Sequence, residues 1–328
     1  GEVVGLETRQ VVERPFSKII FYRAHTHHQP YDAVLKKVVH HPENLSLTKK
    51  ENQAEVEFSM LSSLYPQFME EPSCSVPEPI AVFPDDEAYL MEYVAGTLLS
   101  EKFKAARFFS EKKKFADLVK WYQLCGRWLK KFHELAELKP ATLDLFAATF
   151  VRCEEKLDMI SAIHDPRCPN NLKEVVLAGL NRELRKLDGE NILVSWRHGD
   201  FGNWNVIVHE TGITLLDFFG SQIDSPAIDI LKMLVNLEDE KFYLFYNKRK
   251  IIQLRDAFVE GYGNFPEIQE PVAILCETLH RVCSLCSGLF CNRGMSITRK
   301  IEDALIVKNH LDWLLKQDKK LLWNNNFY

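Results

Sequence analysis

The sequence predicts an α+β protein that has a small antiparallel sheet near its N-terminus and a larger, mostly helical C-terminal part. Apolar and polar residues alternate like strands over residues 1–40, and two short, mostly apolar runs separated by a Pro-Asp-Asp turn follow over residues 80–93. After Gly96 the apolar residues recur at helical spacing, most clearly over 112–137. A chain of 328 residues can form two lobes, each with its own core. We therefore predict an N-terminal lobe over residues 1–94 and a C-terminal lobe over residues 95–328.

Composition and charge exclude several classes of protein. With 46% hydrophobic and 27% charged residues, the composition is that of an ordinary globular protein. The net charge of −5 provides no basic field for a nucleic-acid backbone, so no nucleic-acid partner is expected. No uninterrupted apolar run approaches the roughly 18 residues of a membrane span, and the N-terminus lacks the basic-then-apolar profile of a signal peptide. We expect a cytoplasmic protein that does not bind membranes.

The N-terminal lobe is predicted to contain a sheet and one helix. Its strands are Thr8–Val12, Lys18–Arg23, Ala33–Val39, Ile80–Phe83 and Ala88–Tyr93, and residues 13–17 form the first turn. The helix opens near Thr48, has apolar residues at helical spacing and is expected to end before Pro66. Glu57 lies beside the apolar stripe of this helix.

The most informative stretch runs from Ser195 to Phe218. It contains His198, Asp200, Asn205 and Asp217, and the last two flank a hairpin pattern with a Thr-Gly turn. A short hairpin returns its two ends to the same place, so we expect Asp200, Asn205 and Asp217 to converge. Few, hard oxygen ligands with space for phosphate oxygens and water are what Mg²⁺ requires. The stretch therefore predicts a phosphoryl-transfer site.

The spacing His-x-Asp-x-x-x-x-Asn, followed by an Asp at the end of a hairpin, resembles the catalytic and metal loops of the aminoglycoside phosphotransferase and choline kinase-like family. That family shares the protein-kinase fold, so the resemblance implies a bilobal protein-kinase-like architecture. It also implies a role for each residue. Asp200 would accept the proton of the substrate hydroxyl, Asn205 and Asp217 would hold Mg²⁺, and His198 would support the loop from within.

The same resemblance assigns an ion pair in the N-terminal lobe. Ala33-Val34-Leu35-Lys36 is similar to the third strand of kinase folds, whose lysine contacts nucleotide phosphates. Lys36 and Lys37 point to opposite faces of a strand, and Lys36 shares the face of Val34. We therefore assign Lys36 to ATP. Glu57 would pair with Lys36, with Glu51 and Glu55 as rivals for that position.

Further residues are implied around the nucleotide. Ser17 matches the serine of the family's phosphate-covering loop, although this loop lacks the usual glycine. Met91–Gly96 is similar to the connection between lobes, so the Glu92 carbonyl and the Val94 amide are assigned to the adenine base. Asp229 matches a second aspartate that would stabilise the catalytic loop through backbone hydrogen bonds.

Cys283-x-x-Cys286 invites a zinc interpretation. Together with Cys276, however, these residues follow helical spacing within an apolar pattern, which favours small buried side chains on one helix face.

The resemblance implies an ATP- and Mg²⁺-dependent kinase that phosphorylates a hydroxyl of a small molecule. An amino sugar, an aminoglycoside or a related metabolite is the preferred acceptor, ahead of choline, ethanolamine or another small alcohol. The alternative is a nucleotide-binding pseudokinase that acts as a partner module. The intact Asp200, Asn205 and Asp217 argue against that alternative, because a binding module needs no base. The choice between ATP and GTP and the oligomeric state stay open.

Overall fold

The computed structural model describes residues 3–14, 17–39, 52–106, 111–135, 139–141, 145–243, 247–263, 268–290 and 296–316. The chain divides into two compact units. The first unit consists of Gly1–Lys102 together with Asn203–Ser221. The second unit consists of Phe103–Gly202 together with Gln222–Tyr328.

The strands of the described residues are β1 (Val3–Arg14), β2 (Ser17–Thr26), β3 (Tyr31–Val38), β4 (Cys74–Ser75), β5 (Pro79–Phe83), β6 (Ala88–Glu92), β7 (Thr97–Leu98), β8 (Lys139–Ala141), β9 (Ile192–Arg197), β10 (Val206–Val208), β11 (Ile213–Leu215) and β12 (Gln222–Asp224). The helices are α1 (Gln53–Phe68), α2 (Leu99–Ala105), α3 (Lys112–Glu134), α4 (Leu145–Ile163), α5 (Leu172–Lys186), α6 (Ala227–Glu240), α7 (Lys248–Tyr262), α8 (Glu270–Phe290) and α9 (Ile297–Leu314). Together they give the α+β fold that the sequence predicts.

The first unit is built on an antiparallel sheet in the order β1-β2-β3-β6-β5. All five predicted strands are present, and β1 and β2 extend beyond the predicted bounds. Helix α1 packs on β5 and β6 through a buried stripe that includes Ala54, Leu61 and Phe68. Helical spacing correctly predicted α1 because this helix buries one face.

The ends of α1 differ from the prediction. Asn52 caps the helix, and its side chain accepts hydrogen bonds from the backbone N–H groups of Ala54 and Glu55. Residues 48–51, where the start was predicted, lie outside the described residues. The predicted end before Pro66 is wrong, because α1 continues to Phe68. A proline in the last turn removes only one N–H donor, and the next cap bond, from Met69 N to Tyr65 O at 3.1 Å, still forms.

A second sheet in the first unit has the order β4-β11-β10-β7. The predicted hairpin is its centre: Val206 pairs with Leu215 and Val208 pairs with Ile213 in antiparallel register. Leu216 N donates to Asn205 O at 2.9 Å just beyond the last strand pair. The hairpin therefore brings Asn205 next to the chain segment that leads into Asp217.

The described part of the second unit is mostly helical and also contains a sheet in the order β12-β9-β8. Helix α8 packs against α4, α5, α6 and α9. By length and composition α8 could cross a membrane, but 78% of its apolar window is buried by the rest of the protein. It is therefore a core helix of this unit.

Candidate active site

Lys36 on β3 is the centre of a buried ion-pair cluster in the first unit. Its Nζ lies 2.8 Å from both carboxylate oxygens of Glu57 on α1, and 2.8 Å from Oδ1 of Asp217. The Glu57 side chain is 1% exposed and the Lys36 side chain 11%. Burial lowers the pKa of Lys36, but the two carboxylates outweigh burial and raise it above its ordinary value. Lys36 is therefore held as a cation between two acids, with the pairing to Glu57 that the resemblance implied.

Asp217 is the member of this cluster that stays accessible. Its side chain is 35% exposed, although Oδ1 accepts from Lys36. Its backbone has φ of 70°, in the left-handed region that non-glycine residues seldom occupy. The next amide, Phe218 N, donates to Glu57 Oε1 at 3.0 Å and fixes this turn. Lys36 thus holds the Asp217 side chain and Glu57 holds the amide that follows it. These two hydrogen bonds maintain the strained backbone conformation.

The donor set of Asn205 and Asp217 suits a hard divalent cation. Asn205 is 3% exposed at the start of the hairpin, and Asp217 follows its end. One amide and one partly exposed carboxylate resemble the small oxygen ligand set with which Mg²⁺ is bound alongside phosphates and water. Among the described residues, no group of three or more His, Cys, Asp or Glu side chains is arranged to hold a metal ion.

Ser17, Glu92 and Val94 occupy separate positions in the first unit. Ser17 is the first residue of β2, is 8% exposed and pairs in register with Val38. Pro15 and Phe16, in the predicted phosphate loop, lie outside the described residues. Glu92 and Val94 help to line a cavity of about 760 Å³ in the first unit. The amide of Glu92 donates to Glu78 O at 2.9 Å. The nucleotide contacts assigned to these three residues stay predictions.

The catalytic loop with Asp200 lies in the second unit. The side chain of Asp200 is 41% exposed, and its Oδ1 accepts from Nζ of Lys232 on α6. Lys232 was not among the residues predicted from the sequence. Its spacing of three residues from Asp229 was the available signal, since residues three apart on a helix share a face. Lys232 orients one oxygen of the Asp200 carboxylate and leaves that side chain accessible.

Asp229 stabilises the loop through hydrogen bonds to its backbone, as predicted. Its Oδ2 accepts from His198 N at 2.5 Å and its Oδ1 from Gly199 N at 2.8 Å. Gly199 has φ of 80°, so a glycine suits the turn that aims both amides at one carboxylate. Burial raises the pKa of Asp229, but hydrogen bonding and charge from His133, together with His198, outweigh burial and lower it.

His198 supports the loop from within. Its side chain is fully buried, edge-on to the rings of Trp128 and Phe201 with centroids 6.4 and 6.0 Å away. Its Nδ1 accepts from Asp200 N at 3.3 Å. His133, on α3, bonds to the Tyr262 hydroxyl through Nδ1 at 2.8 Å. Both histidines are therefore placed to position the loop.

The two cysteines considered for zinc, Cys283 and Cys286, lie on α8 together with Cys276. Cys276 and Cys286 are buried and Cys283 is partly exposed. Burial raises the pKa of the Cys276 thiol well above its ordinary value, which keeps it protonated. The other cysteine of that region, Cys291, lies outside the described residues.

A protein-family model matches most of the chain. Residues 20–271 match the model of the Phosphotransferase enzyme family, which is well over half of the chain. The chain therefore belongs to this family of phosphotransferases and is an enzyme that uses an alcohol group as acceptor. No curated protein sequence matches the chain significantly.

Solved structures share the protein-kinase-like fold. Choline kinase LicA from Streptococcus pneumoniae is 14% identical with a TM-score of 0.54, over 95% of each chain. An apo thermostable mutant of aminoglycoside phosphotransferase APH(4)-Ia is 13% identical with a TM-score of 0.55, over 95% of this chain and 94% of that one. A glucosamine kinase in complex with glucosamine, ADP and inorganic phosphate is 14% identical with a TM-score of 0.59, over 93% and 81%. At these identities the likeness concerns the fold.

Proposed function

We propose that this phosphotransferase transfers the γ-phosphate of ATP to a hydroxyl of a small molecule, with Asp200 as the general base. The observation that carries the proposal is the cluster of Lys36, Glu57 and Asp217, whose Lys36 ammonium is buried, charged and held 2.8 Å from both acids. Phosphoryl transfer depends on positioning and on neutralising phosphate charge, and this cluster supplies a fixed cation for that purpose. ATP and the acceptor are the proposed partners.

The proposed step balances with one proton transfer. Asp200 accepts the proton of the acceptor hydroxyl as its oxygen bonds to the γ-phosphorus, and the bond from that phosphorus to the bridging oxygen breaks to release ADP. Lys232 donates to one Asp200 oxygen and so orients the carboxylate that would accept this proton. Asp229 maintains the backbone of the loop throughout.

Asn205 and Asp217 are the residues we propose for Mg²⁺. When bound, Mg²⁺ supplies charge neutralisation for the phosphate oxygens. The protein would contribute the amide oxygen of Asn205 and the carboxylate of Asp217, and the backbone bond from Leu216 N to Asn205 O supports their proximity. Lys36 would share Asp217 with the cation, and Glu57 keeps Lys36 in position.

The acceptor is proposed to be an amino sugar or a related metabolite, with choline, ethanolamine and other small alcohols as further candidates. Fold relatives described as a glucosamine kinase, a choline kinase and an aminoglycoside phosphotransferase support a small hydroxylated acceptor in general. We also propose that the enzyme works in the cytoplasm, where the seven described cysteines, all free, would stay reduced.

The test measures ADP release with ATP and Mg²⁺ against a panel of amino sugars, polyols and amino alcohols. Asp200→Asn should lower kcat by about 10²- to 10⁴-fold, the contribution of a positioned general base, while ATP binding stays unchanged. Asp188→Asn is the matched control, because Asp188 is exposed and lies beyond α5, away from the loop. Wild-type turnover in Asp200→Asn would exclude Asp200 as the base. Tight ATP binding with no turnover on any acceptor would favour the pseudokinase alternative.

A further inference from the structure

A small cavity in the second unit borders the catalytic loop. Its volume is about 70 Å³, and Gly199, the residue before Asp200, forms part of its wall. The side chains that matter for its chemistry are those of Arg152, Arg197, Lys232, Asn236 and His280. They come from α4, β9, α6 and α8, so the cavity is formed by tertiary packing.

The lining of this cavity is positively charged. Arg152, Arg197 and Lys232 are cationic, and its described lining includes no Asp or Glu side chain. Arg197 is balanced by Asp224 at 2.5 Å and Lys232 by Asp200, both of which lie outside the lining. Arg152 is exposed and makes no ion pair within the described residues. The wall therefore has one cation in excess and two whose paired acids lie outside the cavity.

His280 adds no charge to the wall. Its Nε2 donates to Ile228 O at 2.7 Å. Burial, with further contributions from the charges of Lys232 and Arg152, lowers the pKa of His280 to about 3. The imidazole is thus neutral at ordinary pH, so the excess charge of the wall is that of Arg152.

Two buried donors on the wall lack an acceptor. Nε of Arg197 and Nδ2 of Asn236 are buried, and neither finds a hydrogen-bond partner among the described residues. Each such N–H group costs free energy when it stays unpaired. Both can only donate, so the group that satisfies them must offer oxygen lone pairs. Two unpaired donors beside three cations are the arrangement expected where an oxyanion binds.

We propose that the acceptor carries a carboxylate or phosphate group, which binds in this cavity against Arg152, Arg197 and Asn236. The inference rests on the proposed function, since it assigns the cavity to the acceptor of the same reaction. A cavity that holds one water needs roughly 10–15 Å³ by a comparable measure, so about 70 Å³ accommodates one anionic group but not a sugar ring. The rest of the acceptor then lies outside the cavity, on the side of Asp200.

The positive charge of the cavity favours anionic acceptors over cationic ones. Choline and polycationic aminoglycosides would place positive charge against Arg152 and Lys232, which is unfavourable. A sugar acid or a sugar phosphate, with or without an amino group, places its negative charge there. Lys232 then contacts both the base and the anionic end of the substrate, so one residue links acceptor binding to the position of Asp200.

The first experiment measures binding of inorganic phosphate and of acetate by NMR titration, without nucleotide and at constant ionic strength. Arg152→Gln should weaken binding of both anions about 3- to 10-fold, as expected for loss of one partly exposed charged donor. Asn236→Leu removes the unpaired amide donor at similar size and should also weaken binding. Arg185→Gln is the matched control, because Arg185 is exposed on α5 and is not part of the cavity. Arg197 is left intact because its pair with Asp224 supports the fold.

The second experiment compares four related sugars that differ from glucose in one charged substituent: glucose itself is neutral, glucosamine is cationic, and glucuronate and glucose 6-phosphate are anionic. Glucuronate and glucose 6-phosphate distinguish a carboxylate from a phosphate preference. We expect at least one anionic member to bind about tenfold more tightly than its neutral or cationic counterparts, and Arg152→Gln to remove that advantage without changing ATP affinity. Equal binding of all four, preference for glucosamine, or anion binding that Arg152→Gln leaves unchanged would overturn the inference. Anion binding with no ATP turnover would instead count against the proposed kinase reaction alone.

Discussion

Glu57 shows how a single buried side chain connects the fold to the site. It accepts two hydrogen bonds from Lys36 and one from the amide of Phe218, so it fixes the lysine and the turn after Asp217 together. These contacts join residues 21 and 161 positions apart. Removal of one member of a buried ion pair leaves an uncompensated charge, which is the costly way to break it.

Glu57→Gln should therefore lower both stability and activity. The amide keeps the shape of the carboxylate but loses its charge and part of its hydrogen bonding to Lys36. We expect a loss of about 1–3 kcal/mol in the free energy of unfolding, measured by urea titration, and reduced turnover. Glu55→Gln makes the same change at an exposed position of α1 and should be neutral. Equal stability of the two variants would contradict the role of Glu57.

Two substitutions of Asp217 distinguish the effect of its charge from the effect of its backbone strain. Asn adopts the left-handed conformation more readily than other residues, so Asp217→Asn should keep the φ of 70° and remove only the charge. Asp217→Ala removes the charge and adds about 1 kcal/mol of strain. Both variants should lose turnover at low Mg²⁺, but only Asp217→Ala should show the added loss in urea unfolding. Full activity of Asp217→Asn at low Mg²⁺ would exclude this carboxylate as a ligand.

Residue-level predictions were possible where a family resemblance and a local pattern agreed. The resemblance implied a strand lysine paired with a helix glutamate, alternation favoured Lys36 over Lys37, and Lys36 and Glu57 do meet. Lys232 offered only its spacing from Asp229 as a signal and Arg152 offered none, because both approach the catalytic loop only when α6 and α4 pack in the second unit. The charge of the acceptor cavity is therefore a property of tertiary structure that periodicity does not encode.

At the scale of elements, long periodic segments are predictable and very short ones are not. The first three strands of the first sheet were predicted from alternation. Strands β4 and β7 have two residues each, too few to display a period of two, and they pair with the hairpin strands β11 and β10. The extension of α1 past Pro66 was also missed, because tertiary packing of Phe68 outweighs the local signal of a proline.

The contact between α3 and α7 depends on glycine. A Cβ atom on Gly126 would lie 2.1 Å from Phe258 O, and one on Gly261 would lie 1.9 Å from Gln123 O. In each case the clash is with the backbone of the other helix, which cannot move aside as a side chain can. Helix α3 carries His133 and α7 carries Tyr262, so the same contact also keeps the hydrogen bond between them.

Gly126→Ala should therefore destabilise the protein although alanine favours helices. The intrinsic gain in helix propensity is about 1 kcal/mol, and we expect overpacking to reverse it to a net loss of about 1–3 kcal/mol. Gly288→Ala is the matched control on α8, because its new Cβ would meet only the Cγ2 atom of Val307 at 3.2 Å. Thermal unfolding of both variants provides the comparison. A stabilised Gly126→Ala protein would show that the two helices can separate at no cost.

At the scale of the whole molecule, chain order does not reveal which segments fold together. The first compact unit combines Gly1–Lys102 with Asn203–Ser221, so the hairpin with Asn205 belongs with the N-terminal strands. The predicted boundary after residue 94 rests instead on the stretch that resembles the family's connection between lobes. The pairs of β4 with β11 and of β7 with β10 join short, distant strands and leave no trace in composition.

Glu240, in the last turn of α6, makes the stability of the protein depend on pH. Burial, with the nearby Asp239 and Glu302, raises the pKa of Glu240 to about 8, while Arg299 and Lys104 lower it only in part. Between its unfolded pKa of about 4.5 and this folded value, the folded state binds more protons than the unfolded state. The stability that Glu240 contributes is thus present at low pH and is lost as pH rises through this window.

Glu240→Gln should abolish this contribution. At pH 5 the variant and the wild type should have similar free energies of unfolding, because Glu240 is protonated in the folded wild type. Towards pH 8 the variant should gain on the wild type by about 2–4 kcal/mol, since each unit of pH in the window changes the difference by about 1.4 kcal/mol at most. Urea unfolding at a series of pH values measures the difference, in which effects of other groups such as His280 cancel. Glu260→Gln, at an exposed position of α7, is the control and should show no pH-dependent gain. A Glu240→Gln curve parallel to that of the wild type would mean that Glu240 ionises as freely in the folded protein as in water, and that Arg299 and Lys104 compensate fully for its burial.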